Sequence, residues 1–229
     1  VTDVNTMKLN SRERSILLHA PFIGAGDETV SARFMEAATI VTAPPRNILF
    51  REGEAAQYLF CVLNGYVRLY RLSKDGREAD VRICGPGDTF NECLIFGADK
   101  YQHNAQAADS CTIARFDLTH IRAMIEDEPK VVRAVLHSMS NSLRTTMDCL
   151  ANDRLQTAPQ RVANYLITHG PSGATSYSLR LPFQKSVLAG KLGLAPEALS
   201  RAFSSLRDAG VIVRGRVIQV NDIGALKQI

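Results

Sequence analysis

Three side chains near the C-terminal end have types and spacing suited to reading a nucleic acid: Glu197, Ser200 and Arg201. Spaced i, i+3 and i+4, they share one face of a helix. A carboxylate accepts from cytosine N4, and a guanidinium makes a bidentate pair with guanine O6 and N7. On an isolated helix the same trio would be a solvated face with an ordinary ion pair. The surrounding text, FQKSVLAGKLGLAPEALSRAFSSLRDAG from Phe183 to Gly210, argues for more. Val187, Leu188 and Leu192 give a first helix its apolar face, and Ala189 is small where a second helix must cross closely. Gly193 falls where a helix-turn-helix needs a left-handed residue. Leu194 buries the turn, and Pro196 suits the first turn of the next helix. There Leu199, Phe203 and Leu206 form the inner stripe. The trio is left on the opposite face near the N-terminus, where a recognition helix meets base edges in the major groove. Lys185 and Lys191 are further DNA-contact candidates.

Charge agrees with this placement. The 229-residue chain has a formal net charge of +4, unevenly distributed. From Asn152 onward ten Lys or Arg stand against four acids, a net of +6, whereas residues 1–151 carry 17 against 19. A basic C-terminal third on a slightly acidic body is an electrostatic footprint for a polyanion. No apolar run approaches the ~18 residues that span a membrane, so a cytoplasmic location is expected. Val1–Ala20 interleaves Lys8, Arg12, Glu13 and Arg14 with apolar positions, which reads as an amphipathic helix rather than a signal peptide.

The elements that position the trio follow from periodicity. Gly24, Gly26 and Asp27 end the first helix, and a second helix is expected over Glu28–Ala37. From Thr39 to Phe116 short β-rich runs alternate with turn signals: Ile48–Phe50, Tyr58–Leu63, Tyr66–Leu72, Ala79–Cys84, Asn104–Ala107 and Thr112–Phe116. Asn64-Gly65 reads as a two-residue hairpin, Asp75-Gly76 as a turn, and Gly85-Pro86-Gly87-Asp88 as a tight corner. Strands at this spacing imply a small barrel or jelly roll. Between Leu118 and Leu150 only Pro129 punctuates a helical stretch. There Val132, Leu136, Met139, Leu143, Thr146 and Leu150 step by 4, 3, 4, 3 and 4, an a/d seam, with Met147 able to cover Thr146. The seam implies a parallel homodimer; the competing reading packs the stripe on the barrel. Asn152-Asp153 reads as a hinge. Thr157 then caps a helix to about His169, and Tyr177–Leu181, Val211–Val213 and Val217–Val220 supply the strands of a winged domain.

The fold class is therefore α+β: an N-terminal β-barrel or jelly roll (1–117), a long dimerisation helix (118–151), and a C-terminal winged helix-turn-helix domain (152–229). This order of elements, with glycines at 53, 65, 76, 85 and 87, resembles the CRP/FNR family of bacterial transcription regulators from Phe22 to Gly224. The barrel is similar to that family's cyclic-nucleotide-binding fold. The spelling Glu197-x-x-Ser200-Arg201 resembles its FNR-type reading head, which implies palindromic TTGAT-like half-sites, double-stranded DNA as ligand and RNA polymerase as partner. Ala195 departs from the hydroxyl N-cap common there.

The resemblance also implies an effector pocket at Asn91, Glu92, Tyr101 and Gln102. Glu92 matches the carboxylate that holds ribose in members binding cyclic AMP. Asn91 replaces a glycine, and Tyr101-Gln102 replaces the Arg-Ser pair that holds the phosphate, while Lys100 would point to the other side of a strand. Loss of the guanidinium removes the strongest charge-assisted bond to a phosphate, which argues against cyclic nucleotides. An FNR-type iron–sulfur cluster lacks its N-terminal cysteines, since the first is Cys61. The five cysteines read as buried small apolar residues. What remains is similar to the DNR and NnrR-like subgroup, which is linked to nitric oxide, with haem implicated. Among five histidines, His19 and His103 are the candidate haem ligands; no other metal site is expected. No catalytic constellation is present, so an enzyme is not expected. The alternatives are a cyclic-nucleotide-responsive regulator and a signalling module that binds a nucleotide without DNA.

Overall fold

The structure is a computed structural model that describes residues 9–24 and 27–229. Lys8 and Gly26 lie outside that range. The first helix, α1 (Ser11–Leu18), opens with a capping box between Asn10 and Glu13. It is followed by α2 (Pro21–Gly24) and by α3 (Glu28–Ala37), whose bounds are those the sequence implied. Asp27 caps α3 by accepting from the Val30 N–H at 3.1 Å.

Eight strands then form two antiparallel sheets. They are β1 (Thr39–Ala43), β2 (Ile48–Phe50), β3 (Tyr58–Asn64), β4 (Val67–Leu72), β5 (Glu78–Cys84), β6 (Thr89–Phe90), β7 (Asn104–Ala107) and β8 (Cys111–Asp117). The sheet orders are β1-β8-β3-β6 and β2-β7-β4-β5, a jelly roll. Six strands match the expected runs; β1 and the two-residue β6 do not correspond to any of them.

The hairpin expected at Asn64-Gly65 does not form, because β3 pairs with β8 and β6, whereas β4 pairs with β5 and β7. The chain crosses there from one sheet to the other. Gly65 has φ +74°, and a Cβ on it would lie 2.4 Å from the Ser110 carbonyl oxygen and 2.8 Å from Cys111 Cβ. Glycine is thus required by backbone conformation and by close approach together. The Tyr66 N–H donates to Asp109 Oδ1 at 2.7 Å and ties the crossing to the β7–β8 turn. Asp75-Gly76 does close a hairpin, between Leu72 and Glu78.

Alternation along β3 and β8 splits the aromatics between two layers. Phe116 faces the N-terminal helices, edge-on to Phe22 at 5.3 Å and to Phe34 at 6.1 Å. Phe60 faces the space between the sheets, stacked on Phe90 at 5.0 Å and on Phe50 of the other sheet at 5.4 Å. Each buried Phe contributes roughly 1.5–3 kcal/mol relative to exposure.

The helical stretch divides at Glu128 into α4 (Leu118–Asp127) and the 27-residue α5 (Pro129–Leu155). The helix does not break at Asn152-Asp153 as the hinge reading expected; it continues to Leu155. Two stripes run along α5. Val131, Ala134, Val135 and Ser138 are buried, at helical spacing. Leu136, Leu143, Met147 and Leu150 are between 51% and 63% exposed. The stripe that packs on the β domain is therefore not the heptad stripe. Two seam candidates sit between: Val132 is half-buried, and Met139 packs partly against the β-domain core.

The remaining elements are α6 (Ala158–His169), β9 (Tyr177–Arg180), α7 (Lys185–Lys191), α8 (Pro196–Ser205), β10 (Val211–Arg214), β11 (Val217–Val220) and α9 (Ile223–Leu226). Strands β9, β10 and β11 form a small sheet of order β10-β11-β9. The chain folds as two compact units, Val1–Thr145 and Thr146–Ile229. Among the described residues no helix is long and apolar enough to cross a membrane.

Candidate nucleic-acid interface and effector site

The turn before the recognition helix is built from backbone hydrogen bonds. Gly193 takes φ +62°, its N–H donates to the Gly190 carbonyl at 3.2 Å, and the Leu194 N–H donates to the Ala189 carbonyl at 2.9 Å. This pair of bonds is a Schellman cap, which satisfies carbonyls that the end of α7 would otherwise leave open. Val187, Leu188 and Ala189 are buried, whereas Leu192, expected on the same apolar face, and Leu194, expected to bury the turn, are half-buried.

Helix α8 buries Leu199, Ala202 and Phe203, with Leu206 buried just beyond it. Glu197, Ser200 and Arg201 are all exposed on the opposite face. Neither Glu197 nor Arg201 has an ion pair or side-chain hydrogen bond among the described residues. Ser204, one turn further on, donates to the Ser200 carbonyl at 3.0 Å and extends the polar face. Ala195 occupies the N-cap without a side-chain bond, so the first turn of α8 keeps open N–H groups. An open helix N-terminus favours anions.

Lys185 is exposed in the first turn of α7. Lys191 is engaged within the unit: its ammonium lies 5.6 Å from the Phe183 ring centroid. The small sheet adds cations that sequence reasoning does not single out. Arg180 and Arg214 both pair with Val217, one on each side, so they share a sheet face and are exposed. Arg216 sits in the Gly215-Arg216 turn. Register is what gathers these residues, and the sequence shows only that they lie near glycines and valines.

In the β domain, Glu92 is 6% exposed. Its Oε1 accepts from the Thr89 hydroxyl and from the Ser138 hydroxyl of α5, the latter at 3.3 Å. Asn91, in the left-handed region at φ 75°, fits the conformation that a glycine would take. Its Nδ2 is buried with no hydrogen-bond partner among the described residues. Tyr101 is buried and stacks on Phe50, with ring centroids 3.8 Å apart. Its hydroxyl oxygen accepts from the Gln57 and Tyr58 N–H groups at 3.2 and 3.1 Å, so it is committed to the backbone. Burial raises its pKa. Gln102 is exposed and donates to the Lys100 carbonyl at 3.0 Å. The four expected pocket residues differ in setting: Asn91 and Glu92 are buried, Tyr101 is buried and stacked on Phe50, and Gln102 is exposed.

The two histidines differ. His19 is exposed at the end of α1, with Nδ1 2.7 Å from the Ser15 carbonyl. His103 is half-buried, 5.8 Å from Phe50 between ring centroids, and its Nε2 is buried without a partner among the described residues. Desolvation lowers its pKa; Glu52 opposes this and Arg71 adds to it. Among the described residues no three His, Cys, Asp or Glu side chains gather to share a metal ion. All five cysteines are free. Cys61, Cys84 and Cys111 are buried as expected, but Cys93 and Cys149 are exposed.

A cyclic nucleotide-binding domain matches residues 40–128, and a Crp-like helix-turn-helix domain matches residues 160–229. The chain belongs to the CRP/FNR family of transcription regulators. These proteins are DNA-binding regulators, not enzymes. Similar relatives include the CRP-like cAMP-activated global transcriptional regulator of Mycobacterium tuberculosis, 24% identical over 90% of this chain and 95% of its own. The FixK nitrogen fixation regulation protein of Azorhizobium caulinodans is 26% identical over 79% and 75%. Among solved structures, FixK2 from Bradyrhizobium japonicum has a TM-score of 0.69 at 25% identity, covering 83% of this chain and 96% of that one. DNR from Pseudomonas aeruginosa has a TM-score of 0.54 at 26% identity, covering 97% and 99%. In the barrel of this CRP/FNR member, the hydroxyl of Tyr101 and the amide of Gln102 both bond to its own backbone.

Proposed function

We propose that this CRP/FNR regulator acts as a homodimer on palindromic DNA with TTGAT-like half-sites. The observation that carries the reading is the exposed, unpaired Glu197–Ser200–Arg201 face on α8, next to a well-capped turn. In this reading Arg201 pairs with a guanine of each half-site and Glu197 accepts from a cytosine of the complementary strand. Ser200 makes a weaker contact, Lys185 and Lys191 approach phosphates, and Arg180, Arg214 and Arg216 add to the electrostatic footprint. The second stripe of α5, Leu136, Leu143 and Leu150 with Val132 and Met139 at its margin, forms the dimer seam within the segment 118–151. RNA polymerase is the further partner that the resemblance implies. Selection from random DNA followed by competition binding at fixed salt tests the reading. A palindrome with half-sites one helical turn apart supports it; binding without sequence preference overturns it.

The effector acts through the β domain. Tyr101 and Gln102 offer no cation for a phosphate, which supports an effector other than cyclic AMP. Calorimetry showing micromolar cyclic AMP binding would overturn that. A second reading, nitric oxide sensed through haem as in the DNR-like subgroup, is favoured by one observation, the unpartnered Nε2 of His103. Haem would supply the site at which nitric oxide binds, and His103 would hold it as axial ligand. Protein expressed with haem supplied should then show a Soret band that His103→Ala abolishes. No Soret band in the unsubstituted protein rejects this second reading.

A further inference from the structure

We propose that Arg161 is the positioning residue of the reading head, setting the angle at which the helix-turn-helix hangs from the end of α5. The proposal rests on the two-headed DNA-binding reading above. Arg161 lies on α6, the helix that packs against α8. Its guanidinium gathers backbone carbonyls from two separate segments. Nε donates to the Gln156 carbonyl at 3.3 Å, in the linker that joins α5 to α6. Nη1 donates to the Leu192 carbonyl at 3.0 Å and to the Gly193 carbonyl at 3.4 Å, in the turn between α7 and α8.

These carbonyls are the ones that the Schellman cap leaves over. The cap uses the Ala189 and Gly190 carbonyls, so Leu192 and Gly193 take their donor from outside the helix-turn-helix. A cation is also favoured there, since the end of α7 carries the negative pole of its dipole. Only a guanidinium has several donors in a rigid plane that can bridge the linker and the turn together. Lysine offers a point charge on a flexible stem, and glutamine has no charge. Removing the bridge does not remove the fold of the turn, because the cap bonds and the buried Val187, Leu188 and Ala189 remain. What loosens is the angle between the turn and the linker. In a dimer with two heads, that angle is read as half-site spacing, since one base pair rotates a half-site by about a tenth of a turn.

The test uses the full chain, with Arg161→Gln and Arg161→Lys beside the unsubstituted protein. Binding is measured on the selected operator and on versions with one base pair added or removed at the dyad. Both variants should bind the parent operator roughly tenfold more weakly, and their penalty for altered spacing should shrink by about tenfold. An unchanged spacing penalty with all DNAs weakened equally would make Arg161 a stabilising residue only and overturn the proposal. An unchanged penalty with a shallower salt slope would make it a phosphate contact and overturn the proposal equally. If the unsubstituted protein itself shows no spacing penalty, the two-headed reading fails first and takes this proposal with it.

Discussion

Two glutamates show how differently the two units treat their polar groups. Glu92 in the β domain is buried and its carboxylate accepts hydroxyls from Thr89 and Ser138. Glu197 on α8 is exposed and has no side-chain partner among the described residues. The same contrast holds for Tyr101, bonded to two backbone N–H groups, and Arg201, bonded to none. At Glu92 and Tyr101 the β domain commits polar side chains to its own architecture. The DNA unit instead satisfies its turn with backbone and Arg161, and leaves the outward side chains available for a ligand. Substitutions in the first unit should therefore change stability, and substitutions on α8 should change specificity.

The largest expected effect falls on α5, whose exposed stripe belongs to neither pattern. Replacing Leu136 and Leu143 with Asp should yield monomers that lose operator binding, because charges enter an apolar seam. Sedimentation that still finds a dimer would place the seam elsewhere. In the β domain, Gly65→Ala should cost about 3 kcal/mol or more, since the new Cβ meets both a left-handed backbone and the Ser110 carbonyl. Denaturant unfolding measures this, and a loss under ~0.5 kcal/mol would show that the crossing between sheets is pliable.

Tyr101→Phe is a milder break. It leaves the Gln57 and Tyr58 N–H groups without their acceptor and should cost about 1–3 kcal/mol while operator discrimination stays unchanged. Altered discrimination at equal stability would mean that Tyr101 belongs to signalling rather than to architecture. The smallest effect concerns pH. Burial holds His103 below the ordinary imidazole value of about 6.5, so the unfolded chain takes up the proton first as pH falls. His103 therefore contributes fully above that value and loses stability below it. His103→Asn should flatten the decline below pH ~6.5 relative to the unsubstituted protein. Identical pH profiles would exclude a role for this imidazole.

The reading head is legible in the sequence because each of its residues has a local cause. Gly193 needs a left-handed backbone, Pro196 starts a helix, and Leu199, Phe203 and Leu206 declare the inner face. The β domain is legible only in part, because register decides it and register is non-local. Asn64-Gly65 has the letters of a hairpin, but the partner of β3 is β8, some fifty residues on, and nothing local says so. Strand β6 escapes because two residues carry no periodicity. The end of α5 misleads because Asn152-Asp153 is weak helix text, and the helix nonetheless runs on to Leu155. Arg161 and Ser138 look like ordinary helix residues in the sequence, and only tertiary packing brings them to a turn and to Glu92.

The most direct test of the central claim is a competition assay at fixed salt with Arg201→Ala, on the selected operator and on random DNA. Losing a bidentate base contact costs about 1–3 kcal/mol per half-site, and a symmetric dimer loses it twice. The account expects operator affinity to fall strongly, random-DNA affinity and its salt slope to change little, and thermal stability to stay the same, because the Arg201 side chain has no polar partner among the described residues. Equal weakening on operator and random DNA would contradict it, and would make Arg201 a phosphate contact rather than the residue that reads the base.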